Sequence, residues 1–162
     1  MSPSVAQIQC ALDRLAVKRL PIGRFTQAAV LVPLTETTKG LGLVFTVRQG
    51  SMTHHRGQVA FPGGRMDEAD GSSWETALRE AEEEIGLAPN QVTRLGRLSD
   101  FTSITHFHIA PMVGLLAPNA VLTPNESEVA HVFTVPLCDL LDERNRRTAL
   151  IQRFHALERI YF

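Results

Sequence analysis

Cysteine is scarce in this chain: only Cys10 and Cys138 occur among its 162 residues. They lie far apart and match no thiolate metal-site spacing, so reduced, buried thiols of a cytosolic protein are the expectation. Charge of one sign is lacking too. A net charge of −1 and a pI near 6.6 provide no basic surface of the kind that nucleic acid or a membrane would need. Long apolar runs are missing: no stretch approaches a membrane span, and Lys18 and Arg19 sit at the wrong end of the first twenty residues for a signal peptide. Repeats and low-complexity segments are also absent. The expectation is a soluble, cytoplasmic protein with a small-molecule partner and room for a homodimer. A 44% hydrophobic content suffices for one domain, 1–162, with a real core.

What the chain does have is concentrated between Gly57 and Leu87. Ser72 and Ser73 are good helix caps, Glu75 suits the positive helix start, and Gly86 stands where a left-handed cap is wanted, with Pro89 beyond. These signals predict a helix over 73–85. Trp74, Ala77, Leu78, Ala81 and Ile85 form one apolar stripe on it. Glu80, Glu83 and Glu84 fall at i, i+3 and i+4, so their carboxylates are expected to converge off the helix surface. Like charges so placed repel unless a cation sits among them, and hard oxygen donors suit Mg2+ or Mn2+. An acidic run is more often a solvated face. Fixed Arg79, Glu80, Glu83, Glu84 and Gly86 arise by chance, however, in only about one such chain in several thousand.

Elsewhere the pattern is coarser. Val5, Ile8, Leu12 and Leu15 predict an amphipathic helix over about 4–17. Residues 28–34 and 41–47 read as a hairpin, and Pro62-Gly63-Gly64 as a tight turn. Strands are expected over 92–98, 108–116 and 129–135, with 99–107 too polar and too long for a hairpin turn. Pro136 opens a short helix to Leu141, and 149–162 is strand or helix.

Arg79-Glu80-x-x-Glu83-Glu84-x-Gly86, preceded by Gly63-Gly64, resembles the signature box of the Nudix hydrolases. That resemblance implies an α/β (α+β) fold, an α/β/α sandwich with a mixed central sheet, and cleavage of diphosphates linked to another moiety. The usual box has a glutamate six residues after its glycine and seven before the arginine. Here Asp70 takes that place, with eight residues between it and Arg79. Upstream, Phe45-Thr46-Val47-Arg48 and the run His55-Arg56-Gly57-Gln58-Val59-Ala60-Phe61-Pro62-Gly63-Gly64 are similar to the extra motif of the coenzyme A diphosphatase branch. That branch commonly has serine or alanine where Gln49 stands and arginine where Thr53 stands. Thr105-His106-Phe107 resembles its Thr-Gly-Tyr-type loop; the branch usually continues with a further strand and a terminal helix, which are expected either to be missing or to lie beyond Phe162.

The resemblance implies metal ligation by Glu80, Glu83, Glu84 and the Gly64 carbonyl. Catalysis then falls to Glu80, Glu83 and Glu84, with Glu80 as ligand and base. Arg79 orients a glutamate by a two-point pair. Substrate contacts are implied for Arg48, His55, Arg56, Gln58, Phe61 and Gly63, and His54 or His55 for phosphate. Glu126 and Glu128 are candidates for a further acidic residue, an exposed loop position being the alternative for both. The implied reaction is hydrolysis of coenzyme A or a derivative to 3′,5′-ADP and 4′-phosphopantetheine, or its acyl form. A dinucleotide, ADP-ribose or nucleotide sugar is the second substrate reading. A non-catalytic ligand-binding module is the third, against which three retained, mutually repelling carboxylates argue.

Overall fold

The computed structural model describes residues 2–21, 23–49, 57–145, 147–153 and 156–161. Its frame is a mixed sheet built on one hairpin. Alternating and continuous apolar residues make β1 (Thr26–Thr37) and β2 (Gly40–Arg48), antiparallel with Leu34 opposite Leu43 and Thr37 opposite Gly40. Beyond that register the two strands part. β3 (Val59–Ala60) pairs with the end of β2, while β4 (Gly63–Arg65) pairs with β1 at Ala28–Val30. The glycine pair is therefore a short strand rather than a tight turn: Gly63 lies so close to β1 that a Cβ on it would overlap the backbone of Ala29 and Val30.

The helix α2 (Ser73–Ile85) begins at Ser72, whose Oγ accepts the Glu75 N–H at 3.3 Å, and ends at Gly86 with φ 65°. Both ends fall where the caps predict. β5 (Val92–Arg97), β6 (Phe101–Thr102) and β7 (Phe107–Leu116) follow, then β8 (Val129–Pro136), α3 (Leu137–Leu141), and the pair β9 (Thr148–Arg153) and β10 (Ala156–Tyr161). The sheet order is β3-β2-β1-β7-β5, with β4 on β1, β6 on β7 and β8 on β2. β1 and β7 run parallel and the other pairs antiparallel. Residues 99–107, expected to be too long for a hairpin, do form one: Phe101 pairs with Ile109 and Thr102 with His108, and His106 takes φ 62° at the turn.

Helices cover both faces, which makes the sandwich. On one side Ala77, Ala81 and Ile85 of α2 pack on Ala29, Leu31, Val44 and Met112. On the other, Val5, Ile8 and Leu12 of α1 (Val5–Arg14) pack on Val32, Leu34, Leu41 and Val113. α1 is capped by Ser4 and Gln7 in reciprocal bonds but ends at Arg14, short of the expected 17. The reason is a competing set of bonds. After Leu15 the chain runs extended along the β5–β6 turn, where Lys18 N–H donates to Ser99 Oγ at 3.1 Å, Leu20 N–H to Asp100 Oδ2 at 3.1 Å, and Asp100 N–H to the Lys18 carbonyl at 2.9 Å. Asp100 is a hub: its carboxylate also pairs with Arg97 and lies 3.0 Å from His108 Nε2. Cys10, expected to be buried, is exposed on the outer side of α1, and both thiols are free.

Candidate active site

Because Ala77, Ala81 and Ile85 are held in the core, α2 must turn its acidic side toward β4 and the end of β2. A cleft of about 380 Å³ opens there, where β1 and β2 have parted. Glu80, Glu84 and Glu128 face it together with Arg48, Arg65 and Gln58, and Ala28, Val30, Phe107 and Ile109 give it an apolar wall.

Glu84 is the deepest of the acids, its side chain 6% exposed. One carboxylate oxygen accepts the Gly63 N–H at 3.2 Å, and Arg48 Nη1 stands 4.0 Å from the other. Burial pushes its pKa up to about 7, with repulsion from Glu80 and Glu128 adding to the shift and the Gly63 N–H and Arg48 opposing it. Burial raises Glu80 as well, against the pull of Arg79. A Cβ on Gly64 would overlap the Glu80 carboxylate, so the bare glycine makes room for that side chain. Gly64 thus lines the acidic cleft.

Arg79 organises the cluster differently from the expected glutamate pairing. Its two-point partner is Asp70, through Nε to Oδ1 at 3.1 Å and Nη2 to Oδ2 at 2.9 Å. Nη1 divides itself between Glu80 at 3.0 Å and Glu83 at 3.1 Å. Glu83 is drawn outward as a result, its side chain 54% exposed, and it does not line the cleft. The three glutamates do not converge on one point, and among the described residues no three acidic, His or Cys side chains are arranged to enclose a metal ion. Phe61, expected at the substrate, instead stacks on Phe45 at 4.8 Å and packs into the α1-side cluster. His54, His55 and Arg56 lie outside the described residues.

Glu128 is the acid that sequence reasoning ranked too low. Thr123 and Asn125 donate their N–H groups to the carbonyls of Ile85 and Glu84 at 2.7 and 2.9 Å, which fastens the 118–128 connection to the end of α2. That brings Glu128 into the cleft and leaves Glu126 exposed outside it. Asp70 also had no assigned role; its place nine residues before Arg79 was the signal.

Does the donor set suit a divalent cation? Glu80, Glu84 and Glu128 are hard oxygen donors on one partly buried cleft, and repulsion from Glu128 adds to the raised pKa values of both Glu80 and Glu84. A hard cation relieves that repulsion, so the residues present fit Mg2+ or Mn2+.

Residues 25–155 match the family model described as NUDIX domain, and the chain belongs to that family. It is a Nudix hydrolase, an enzyme acting on a diphosphate substrate, and enzymes of this family generally use divalent metal ions. Over 145 residues it is 41% identical to the uncharacterized Nudix hydrolase NudL of Pectobacterium atrosepticum, covering 87% of this chain and 73% of the relative. The NudL protein of Escherichia coli strain K12 is 38% identical over 151 residues, covering 91% and 74%. Among solved structures, a Nudix hydrolase from M. smegmatis, RenU, aligns with a TM-score of 0.60 at 22% identity over 72% of this chain and 74% of its own. The NUDIX domain of Shewanella oneidensis NrtR, complexed with ADP ribose, aligns at 0.58 and 21%, covering 72% and 76%. A C. elegans Ap4A hydrolase aligns at 0.57 and 18%, covering 74% and 90%. At these identities the structural likenesses speak to the fold alone.

Proposed function

We propose that this enzyme hydrolyses the diphosphate of coenzyme A or its derivatives, giving 3′,5′-ADP and 4′-phosphopantetheine or its acyl form. The observation that supports this most is the meeting of Arg48 and Gln58 in the acidic cleft. They come from the two stretches that resemble the coenzyme A diphosphatase branch. The β2–β3 pairing, with the Arg48 N–H donating to the Gln58 carbonyl at 3.0 Å, sets them side by side.

In this reading Glu80, Glu84 and Glu128 would hold the cation, with the Gly64 carbonyl as a further donor and Glu83 reserved by Arg79. A bound divalent ion supplies charge neutralisation at the phosphoryl oxygens and acidifies water. Arg48 and Gln58 bind the diphosphate and its flanking groups, Arg48 by charge-assisted donation. Arg79, anchored on Asp70, fixes the orientation of Glu80, which takes the proton of the attacking water. Most of the rate then comes from positioning and electrostatics. A cytoplasmic location belongs to the same reading, in keeping with the two free thiols.

ADP-ribose and dinucleotides are the second reading: they are what the NrtR domain binds and what the Ap4A hydrolase is named for, two proteins that share the fold with this chain. The test is a product assay with coenzyme A, an acyl-coenzyme A, ADP-ribose and Ap4A, each with Mg2+ and with Mn2+. The proposal expects 3′,5′-ADP from coenzyme A compounds at a kcat/KM at least about tenfold above that for the other two. A preference of that size for ADP-ribose or Ap4A overturns it.

A further inference from the structure

The cleft has walls of two kinds. Beside its charged and amide side chains it has an apolar wall of Ala28, Val30, Phe107 and Ile109, with Arg65 and Thr105 next to it, and that wall continues beyond the cleft across three adjacent strands. Ala28 of β1 is paired with Ile109 of β7, and Ile109 with Phe101 of β6. Directly paired residues project to the same face, so these three side chains form one strip whose steps are each about 5 Å wide. Phe107, two residues before Ile109, shares that face and lines the cleft. Phe101 closes the strip at its outer end and is 48% exposed. A single exposed hydrophobic needs no explanation, but one that continues an apolar cleft wall outward does.

We infer that this strip carries an aliphatic arm of the substrate, the pantetheine and its acyl chain, and that Phe101 sets the preference for acylated over free coenzyme A; this rests on the coenzyme A reading above. Two features select an arm over a nucleobase. The side chains along the strip, Ala28, Ile109 and Phe101 with Phe107 beside them, offer no donor or acceptor to a base edge. The strip is also open at its outer end, so chain length is not capped there. The cleft, at about 380 Å³, has room for the diphosphate and part of one arm. The remainder must leave across Ile109 and Phe101.

The experiment compares octanoyl-coenzyme A with free coenzyme A, by kcat/KM and by calorimetric binding to the protein in EDTA, for wild type, Phe101→Ser and Phe101→Leu. Wild type should favour the octanoyl thioester by about tenfold in both measurements, Phe101→Ser should bring the ratio near one, and Phe101→Leu should keep it within about threefold of wild type. An unchanged ratio in Phe101→Ser overturns the inference. So does an equal loss on both substrates, which marks a general structural role. Cleavage of ADP-ribose with neither coenzyme A compound touched is a separate outcome: it removes the coenzyme A reading itself, and this inference with it.

Discussion

Arg79 grips Asp70 at two points, Nε to Oδ1 at 3.1 Å and Nη2 to Oδ2 at 2.9 Å, and spends its remaining nitrogen on Glu80 and Glu83. The bonds from Arg79 hold the Asp70 carboxyl down at a pKa of about 2, below the ordinary 3.8. A lowered carboxyl pKa stabilises the fold above the unfolded value and loses that contribution as pH falls through the folded one. Wild type should therefore exceed Asp70→Asn in urea midpoint at pH 6, with the gap closing between about pH 4 and pH 2. A gap of the same size at pH 2.5 contradicts the pairing. The same variant frees Arg79 to drift and should lower kcat by roughly three- to thirtyfold with little change in KM.

Glu84→Gln separates catalysis from stability. It keeps the shape and an acceptor for the Gly63 N–H but removes a buried charge. Metal-free protein should gain about 1–2 kcal/mol, read from urea unfolding in EDTA, while kcat falls at least about a hundredfold. Glu82→Gln, at an exposed position on the same helix, should stay within about twofold. Activity of Glu84→Gln within about tenfold of wild type removes Glu84 from the site.

Glu128 and Glu83 exchange the ranks that spacing alone gives them. Glu128 faces the cleft and Glu83 lies half exposed on Arg79. Measured at saturating Mn2+, Glu128→Gln should cost at least about tenfold in kcat/KM and Glu83→Gln less. The reverse order restores the converging triad.

Asp100 joins the segment after α1 to the sheet through Arg97, His108 and the Leu20 N–H. Asp100→Ala leaves those groups without their shared partner and should destabilise the protein by about 2–4 kcal/mol in urea, with the substrate ratios of the folded enzyme unchanged. A loss under about 0.5 kcal/mol shows the hub to be dispensable.

Which parts of this were legible in sequence follows from how local each signal is. α2 is written in adjacent residues: Ser72 and Gly86 fix its ends, and Ala77, Ala81 and Ile85 fix its buried side. The Nudix fold and the acidic helix followed from it. β4 was missed because a glycine pair has no strand propensity, and its place is set by backbone bonds to β1. The β6–β7 hairpin was missed because its turn needs the positive φ of His106, which a non-glycine residue seldom adopts. Convergence of the three helix glutamates failed because Arg79, a neighbour in the same motif, competes for Glu83. Glu128 reaches the cleft through bonds to the end of α2 more than thirty residues back in the chain.

The central claim is that the crowded carboxylates of the cleft form a site for a divalent cation that works with substrate phosphate. Melting curves of wild type and of the Glu80→Gln/Glu84→Gln/Glu128→Gln variant, taken in EDTA and with millimolar Mn2+ or Mg2+ beside a non-hydrolysed diphosphate, test it most directly. Wild type should rise in Tm, by the equivalent of about 2.7 kcal/mol at a hundredfold excess over Kd. The triple variant should start slightly above wild type in EDTA and show no response to either ion. A wild-type curve that stays in place under all of these conditions contradicts the account.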